Sequence, residues 1–234
     1  MNLCVIPARG GSKRIPGKNI RSFCGKPIIA WSIETAKASG CFDEIIVSTD
    51  DHEIAKVAEQ WGADVPFMRP PELSDDYAGT IPVIGHAVDW IIRNACSVDF
   101  ACCLYATAPF VRATDLLNGF ALLQQSGADY AFSITSYASP IQRAVRITDD
   151  QRVEMFSPDQ FNTRSQDLEE AFHDAGQFYW GRASAWLAGN SLFSNDAAPV
   201  LLPRHRVQDI DTAADWYRAE LMFEILSKPR APCQ

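Results

Sequence analysis

"LCVIPARGGSKRIPGKN", residues 3–19, begins as a short apolar run and empties into a loop that holds four basic residues and three glycines. An apolar strand that ends in a glycine-rich cationic loop is how open α/β sheets present a phosphate site, outside the carboxyl ends of their strands. The loop lacks the GxxxxGK[ST] spacing, and Gly10, Gly11 and Gly17 do not make GxGxxG, so neither standard fingerprint applies. Its chemistry is similar nonetheless. Glycines let main-chain amides come close to an anion, and Arg9, Lys13 and Lys18 add charge-assisted hydrogen bonds. Composition alone leaves a solvated basic turn open as the plainer alternative.

Downstream, the hydrophobic pattern alternates between two periods. Residues 27–39 carry Ile29, Ile33 and Ala36 at helical spacing and close at Gly40; 44–48 read as a buried strand, 51–61 as a helix ended by Gly62, and 65–68 as a short strand. Ile84, Val88 and Ile91 predict a helix over 80–94, and 100–105 a strand buried on both faces; 114–125 are helical and 130–135 strand-like. This order predicts a doubly wound, mostly parallel, Rossmann-like α/β sheet. From 136 to 176 the rhythm breaks into polar residues with short apolar pieces at 144–147 and 153–156. A plain loop of that length is out of character in a compact domain, so the segment reads as an excursion, a dimer contact or a lid, from a single domain spanning 1–234. Strands resume at 177–180 and 200–202, and a last helix over 212–226 aligns Trp216, Ala219, Phe223 and Leu226 on one stripe.

The chain is acidic, with a net charge of −8, which argues against a nucleic-acid partner. Yet Arg9, Lys13, Arg14, Lys18, Arg21 and Lys26 all fall in the first 33 residues, a stretch with no Asp or Glu. That asymmetry suits a small, highly charged anion. The seven cysteines show no metal-ligand spacing and read as reduced core thiols. No stretch is long and apolar enough to span a bilayer, so the expectation is a cytoplasmic protein without a membrane partner.

Asp209 and Asp211 alternate in an extended segment, which sets both carboxylates on one side, where they can converge on a hard cation. Magnesium takes one or two carboxylates and completes its shell from phosphates and water. The same stretch also suits a helix start, with Asp211 or Thr212 as cap and Asp215 as its partner. Asp50 and Asp51 read as caps of the helix that follows, and Asp75 and Asp76 as a solvated turn. His52, His86, His173 and His205 stand alone and read as surface or structural residues.

The run ARGGSKRIPGKN, residues 8–19, resembles the opening signature of the cytidylyltransferases that activate keto-acid sugars, the CMP-sialic acid and CMP-Kdo synthetases. FDEIIVSTD (42–50), RPPELS (69–74), TAP (107–109) and DIDT (209–212) follow in that family's order and at about its spacing. YATAP (105–109) and FHDAGQFYW (172–180) depart from the sialic acid pattern and resemble the branch that acts on pseudaminic acid. What the resemblance implies is a nucleotidyltransferase, homodimeric through the excursion, that joins CTP to a nonulosonic acid with Mg²⁺. It assigns Arg9, Gly10, Gly11, Ser12, Lys13 and Asn19 to the nucleotide, and Arg69, Ser74 and Thr80 to base or triphosphate. Tyr105, Thr107, His173 and Gln177 are implied at the sugar, Lys18 at the charge developing on the phosphates, and Asp209 and Asp211 at the metal. The alternatives are a CMP-sialic or CMP-legionaminic acid synthetase and, from other classes, an Asp-x-Asp glycosyltransferase or a non-catalytic nucleotide-binding module. Arg14 and Arg21 receive no role.

Overall fold

A computed structural model describes residues 1–228. The chain runs from β1 (Asn2–Pro7) through the cationic loop and a small hairpin, β2 (Ser22–Phe23) with β3 (Lys26–Pro27), into α1 (Ile28–Ser39). Then come β4 (Glu44–Ser48), α2 (His52–Gln60), α3 (Thr80–Asn94), β5 (Phe100–Leu104), α4 (Ala113–Ser126) and β6 (Tyr130–Ser136), in the alternation the sequence predicts. A hairpin of β7 (Val145–Ile147) and β8 (Val153–Met155) precedes β9 (Phe172–Arg182), α5 (Ala183–Ala188), β10 (Ala197–Leu201) and α6 (Ala213–Ser227).

The central sheet has the order β10-β6-β9-β5-β1-β4. β1 lies parallel to β4 and β5, β6 lies parallel to β10, and β9 alone runs antiparallel to its neighbours β5 and β6. From β1 the chain crosses first to β4 on one side and later to β5 on the other. The strand order therefore reverses at β1, and the crevice beyond the carboxyl ends of β1 and β5 is where such a sheet receives a ligand.

Alternation along the strands divides the core in two. Cys4, Ile6, Cys102 and Leu104 face α1, α2 and α4, whereas Leu3, Val5, Ala101 and Cys103 face α3 and α5. Both faces of β1 and β5 are thus dry, which is why these strands read as unbroken apolar runs. A third cluster joins Ile15 and Phe23 to Phe110, Ile210, Trp216 and Ala219, with Phe223 and Leu226 packed against it. It seals the stripe of α6 against the opening loop.

Two expectations need correction. The strand predicted over 65–68 does not form: Pro66 has no N–H to donate, and pairing is limited to isolated bridges at Ile46–Asp64 and Thr49–Met68. The six described cysteines are free, but only Cys4, Cys102 and Cys103 are core thiols, and burial pushes the pKa of each up. Cys96 is exposed in the turn after α3, Cys24 and Cys41 are partly covered, and Cys233 lies outside the described residues. The 136–176 excursion holds the β7–β8 hairpin and single 3-10 turns, and the sheet resumes inside its predicted bounds, at Phe172.

Candidate active site

The cationic loop is held by short-range contacts of its own residues. Gly10 donates its N–H to Asp50 Oδ1 at 2.9 Å, and a Cβ on Gly10 would lie 2.5 Å from Asp51 Oδ2, so this close approach admits only glycine. Asp51 accepts from the N–H groups of Glu53 and Ile54 and caps α2, as the sequence predicts. Buried Asn19 donates from Nδ2 to the Arg9 carbonyl at 2.9 Å and clasps the loop across its base. Gly17, at φ 63°, starts the 3-10 turn that turns Lys18 inward. Gly11 and Lys13 keep amide N–H groups with no partner among the described residues, which leaves them available to an anion.

Ile15 and Ile210 share the third core cluster, with 1% and 0% of their surfaces exposed, and this contact sets the loop against the Asp-Ile-Asp segment. Because the segment is extended, burying Ile210 leaves Asp209 and Asp211 on the opposite side. Lys18 Nζ donates to the Ile210 carbonyl at 2.8 Å and stands 3.6 Å from Asp211 Oδ1, and Arg14 Nη1 reaches Asp211 Oδ2 at 3.0 Å. Asp209 is exposed, yet the protein around its carboxyl raises its pKa, and the charge of Asp211 adds to the shift. A carboxyl such as that of Asp209, raised by burial and by its charged neighbour, fits a divalent cation, which relieves both effects. No group of three metal-ligating side chains gathers among the described residues, so a cation held here would need phosphate and water to complete its shell. Thr212, rather than Asp211, caps α6, in a reciprocal box with Asp215. Upstream, Arg206 grips Asp115 through two buried bonds of 2.6 and 3.0 Å, and its carbonyl accepts from Gln177 Nε2 at 2.9 Å. These bonds anchor the chain leading to Asp209.

Three adjoining hollows follow the carboxyl ends of β1 and β5. The first is lined by Arg9, Ser12, Lys13, Arg14, Lys18, Asn19, Asp76 and Asp211. A middle hollow shares Arg9, Lys18 and Asn19 with it and adds Arg69, Gly79, Thr80, Tyr105 and Thr107. The third shares Gly79, Thr80 and Tyr105 with the middle one and adds Asp174, Tyr179, Leu192 and Phe193. Most of the residues singled out in the sequence are thereby brought to one groove. Gly10, Gly11, Ser74, His173, Gln177 and Asp209 line none of the three: the Ser74 hydroxyl bonds the Pro70 carbonyl, His173 Nδ1 meets the Asp174 carbonyl, and Gln177 serves the Arg206 strap. Arg69 reaches the middle hollow but is 6% exposed and donates to the Ser48 and Leu73 carbonyls; burial lowers the pKa of its guanidinium. Its first task is to pin the 70–74 turn to β4.

Two acidic residues, Asp76 and Asp174, acquire functions that the sequence reading did not give them. Asp76 takes Arg9 and Lys13 at 2.7 and 2.5 Å, so its carboxylate stands among the loop cations as a phosphate oxygen would; these cations hold its pKa down. Asp75 is the turn residue, accepting from the N–H groups of Tyr77 and Ala78. Asp174 and Tyr179, on β9, both reach the third hollow because a register shift between Phe132 and Ile134 on β6 re-aims that part of the strand. Only an irregularity of pairing carries that signal, and hydrophobic period does not report it.

The sequence profile of the cytidylyltransferase family matches residues 3–191. The chain is 45% identical over 224 residues, 96% of its length and 97% of the other, to the pseudaminic acid cytidylyltransferase of Campylobacter jejuni. It is 34% identical over 236 residues, 95% of this chain and 96% of the other, to the CMP-N,N'-diacetyllegionaminic acid synthase of Legionella pneumophila. Among solved structures, a CMP:2-keto-3-deoxy-manno-octonic acid synthetase complexed with CTP superposes with a TM-score of 0.70 over 96% of this chain and 99% of the other, at 18% identity. That likeness supports the fold.

Proposed function

The chain belongs to the cytidylyltransferase family, and from that premise we propose that it transfers CMP from CTP to the anomeric hydroxyl of a nonulosonic acid, pseudaminic acid, and releases pyrophosphate. One observation carries the nucleotide half of the reading: the loop cations and Asp211 line a single groove at the carboxyl ends of β1 and β5. The substrate half rests on likeness to the Campylobacter jejuni enzyme over nearly the whole of both chains.

In this reading the triphosphate lies among Arg9, Lys13 and Lys18, which takes Asp76 off the cations it holds. The nucleoside extends along the middle hollow, and the sugar enters the third. The anomeric oxygen forms its bond to the α-phosphorus as the bond to the bridging oxygen breaks; the electron pair leaves with pyrophosphate, and the hydroxyl proton passes to solvent water. Little covalent work falls to the protein, whose tasks are alignment and electrostatic support of the departing charge. Lys18 lines both the first and the middle hollow and supplies that support. Asp209 and Asp211 hold Mg²⁺, whose charge offsets that of the phosphates when it is bound.

Turnover with pseudaminic acid, CTP and Mg²⁺ is expected, with far slower release of pyrophosphate from sialic or legionaminic acid; release from sialic acid alone would overturn the substrate, and release from none would overturn the activity. CTP is an intracellular nucleotide, so the reaction belongs in the cytoplasm; no helix among the described residues is long and apolar enough to cross a membrane.

The homodimer is part of the same proposal. Val145, Ile147 and Val153 of the β7–β8 hairpin, with Phe156, are 51–72% exposed, and a two-stranded hairpin with a bare apolar face is marginal by itself. A second copy of the chain, meeting it hairpin to hairpin, covers that face. Light scattering is expected to give a dimer for the natural chain and a monomer for the double variant Ile147→Asp, Val153→Asp; a monomeric natural chain removes the dimer.

A further inference from the structure

Charge is distributed unevenly along the groove. Arg9, Lys13, Arg14 and Lys18 line the first hollow and Arg9, Lys18 and Arg69 the middle one, whereas no Lys, Arg or His lines the third. The acidic residue of the third hollow is Asp174. Its carboxylate is held in place on both oxygens: Oδ2 accepts the Tyr179 hydroxyl at 2.5 Å, and Oδ1 accepts the Gly176 N–H at 2.8 Å. Among the described residues no cation forms an ion pair with it.

A carboxylate has about four lone-pair sites and only accepts. Tyr179 and Gly176 take one on each oxygen, so each oxygen keeps another for a donor. The side chains of Ile81, Pro82, Leu192 and Phe193, which line the same hollow, have none to give. A substrate that displaced water there without offering a proton would leave an acceptor unsatisfied, which costs affinity. A nonulosonic acid carries its carboxylate on the anomeric carbon, the carbon whose oxygen attacks phosphorus. Attack therefore keeps that carboxylate at the phosphate end of the groove, near the cations and away from Asp174, which repels it. The end of the sugar that reaches the third hollow bears neutral hydroxyl and acylamino donors.

We propose that Asp174 is a specificity-determining residue that touches the acceptor sugar and accepts a hydroxyl or amide proton from the end remote from the sugar's carboxylate. The groove thereby selects by polarity, with cations where the carboxylate and anomeric oxygen lie and an acceptor at the far end. A sugar turned end for end sets carboxylate against carboxylate, and a sugar without a donor at that point leaves Asp174 unsatisfied, so both are disfavoured. The inference rests on the activity proposed above. It also moves a role implied by the sequence one position along β9: His173, expected at the sugar, meets the Asp174 carbonyl instead, and the Asp174 side chain lines the hollow.

The test is steady-state pyrophosphate release with CTP and pseudaminic acid varied in turn. Asp174→Asn keeps the size of the side chain but offers one oxygen in place of two and no charge. It is expected to raise KM for the sugar about tenfold or more, with KM for CTP within about twofold of the natural value. Sugar analogues with one hydroxyl replaced by hydrogen, or one acylamino N–H methylated, then locate the donor. One of them is expected to lose with the natural enzyme about what the natural sugar loses with Asp174→Asn, and to lose nothing further with that variant, as two changes to one contact must. Whether that analogue lacks the hydroxyl or the N–H identifies the proton. A purely structural role for Asp174 lowers the melting temperature, raises both KM values and adds its loss to that of every analogue. Additive losses with all analogues overturn the proposal, and so does an unchanged KM for the sugar in Asp174→Asn. If the natural enzyme releases no pyrophosphate with any nonulosonic acid, the proposed activity fails and takes this inference with it, whereas the two preceding results overturn the inference and leave the activity standing.

Discussion

Replacing Lys18 by alanine is expected to slow pyrophosphate release by about 10²–10³-fold at saturating CTP, the range seen when one preorganised donor to developing charge is removed. Four loop cations line the groove, but they are not equivalent. The side chains of Lys13 and Arg9 are 80% and 36% exposed and already share Asp76, so water and a carboxylate weaken their fields. The Lys18 side chain is 20% exposed, and its nearest oxygen is a neutral carbonyl, with Asp211 farther off at 3.6 Å. Its charge is therefore the least screened and the closest to the Asp209–Asp211 segment. The fold should survive the change, because Ile15 and Asn19 hold the loop from positions that Lys18 does not touch. Losing the bond to Ile210 removes about 1 kcal/mol, a shift of a few degrees in melting temperature. A circular-dichroism melt beside the pyrophosphate assay separates the two effects. If the alanine variant turns over within a few-fold of the natural enzyme, the loop has no part in the chemistry and its cations serve binding alone.

The sheet was readable from sequence because its strands are buried on both faces: Leu3 to Ile6 and Ala101 to Leu104 have no polar face to confuse the period. The helices were readable because their ends carry chemical signals, Asp51 and Thr212 as caps and Gly40 as a close. Failure came where pairing rather than composition sets the outcome. Residues 65–68 have strand-like residues, but Pro66 denies them a ladder. The bulge that carries Asp174 toward the third hollow depends on the register between β6 and β9, which a single strand's sequence does not contain. For the groove, the cations were visible as a local charge asymmetry, whereas their partners were not. Asp76 and Asp211 lie 67 and 197 positions away from Arg9 and Arg14, respectively. Arg14, which had no assigned purpose, proves to bind the Asp211 carboxylate.

Substituting Asp211 by asparagine is expected to lower turnover by about 10²-fold or more and to raise the Mg²⁺ concentration needed for half-maximal rate, while leaving the melting temperature within a few degrees of natural. Asparagine keeps the size of the side chain and one oxygen but removes the charge for which a hard cation selects. Its stability cost is small for two reasons. The pairs with Arg14 and Lys18 involve an Asp211 side chain that is 41% exposed, where such contacts contribute little. The start of α6 does not depend on the Asp211 carboxylate either, since Thr212 and Asp215 form the capping box between themselves. Stability and chemistry thus come apart in this variant, and the competing readings predict different results. A module that only binds nucleotide loses CTP affinity in the variant but has no pyrophosphate signal to lose in the natural protein. A glycosyltransferase consumes a nucleotide sugar and releases no pyrophosphate in either form. If the asparagine variant matches the natural enzyme in both rate and Mg²⁺ requirement, Asp211 holds no cation. Its bonds to Arg14 and Lys18 would then be its whole contribution, and the cationic loop would have to bear the charge of the leaving pyrophosphate without a metal at that aspartate.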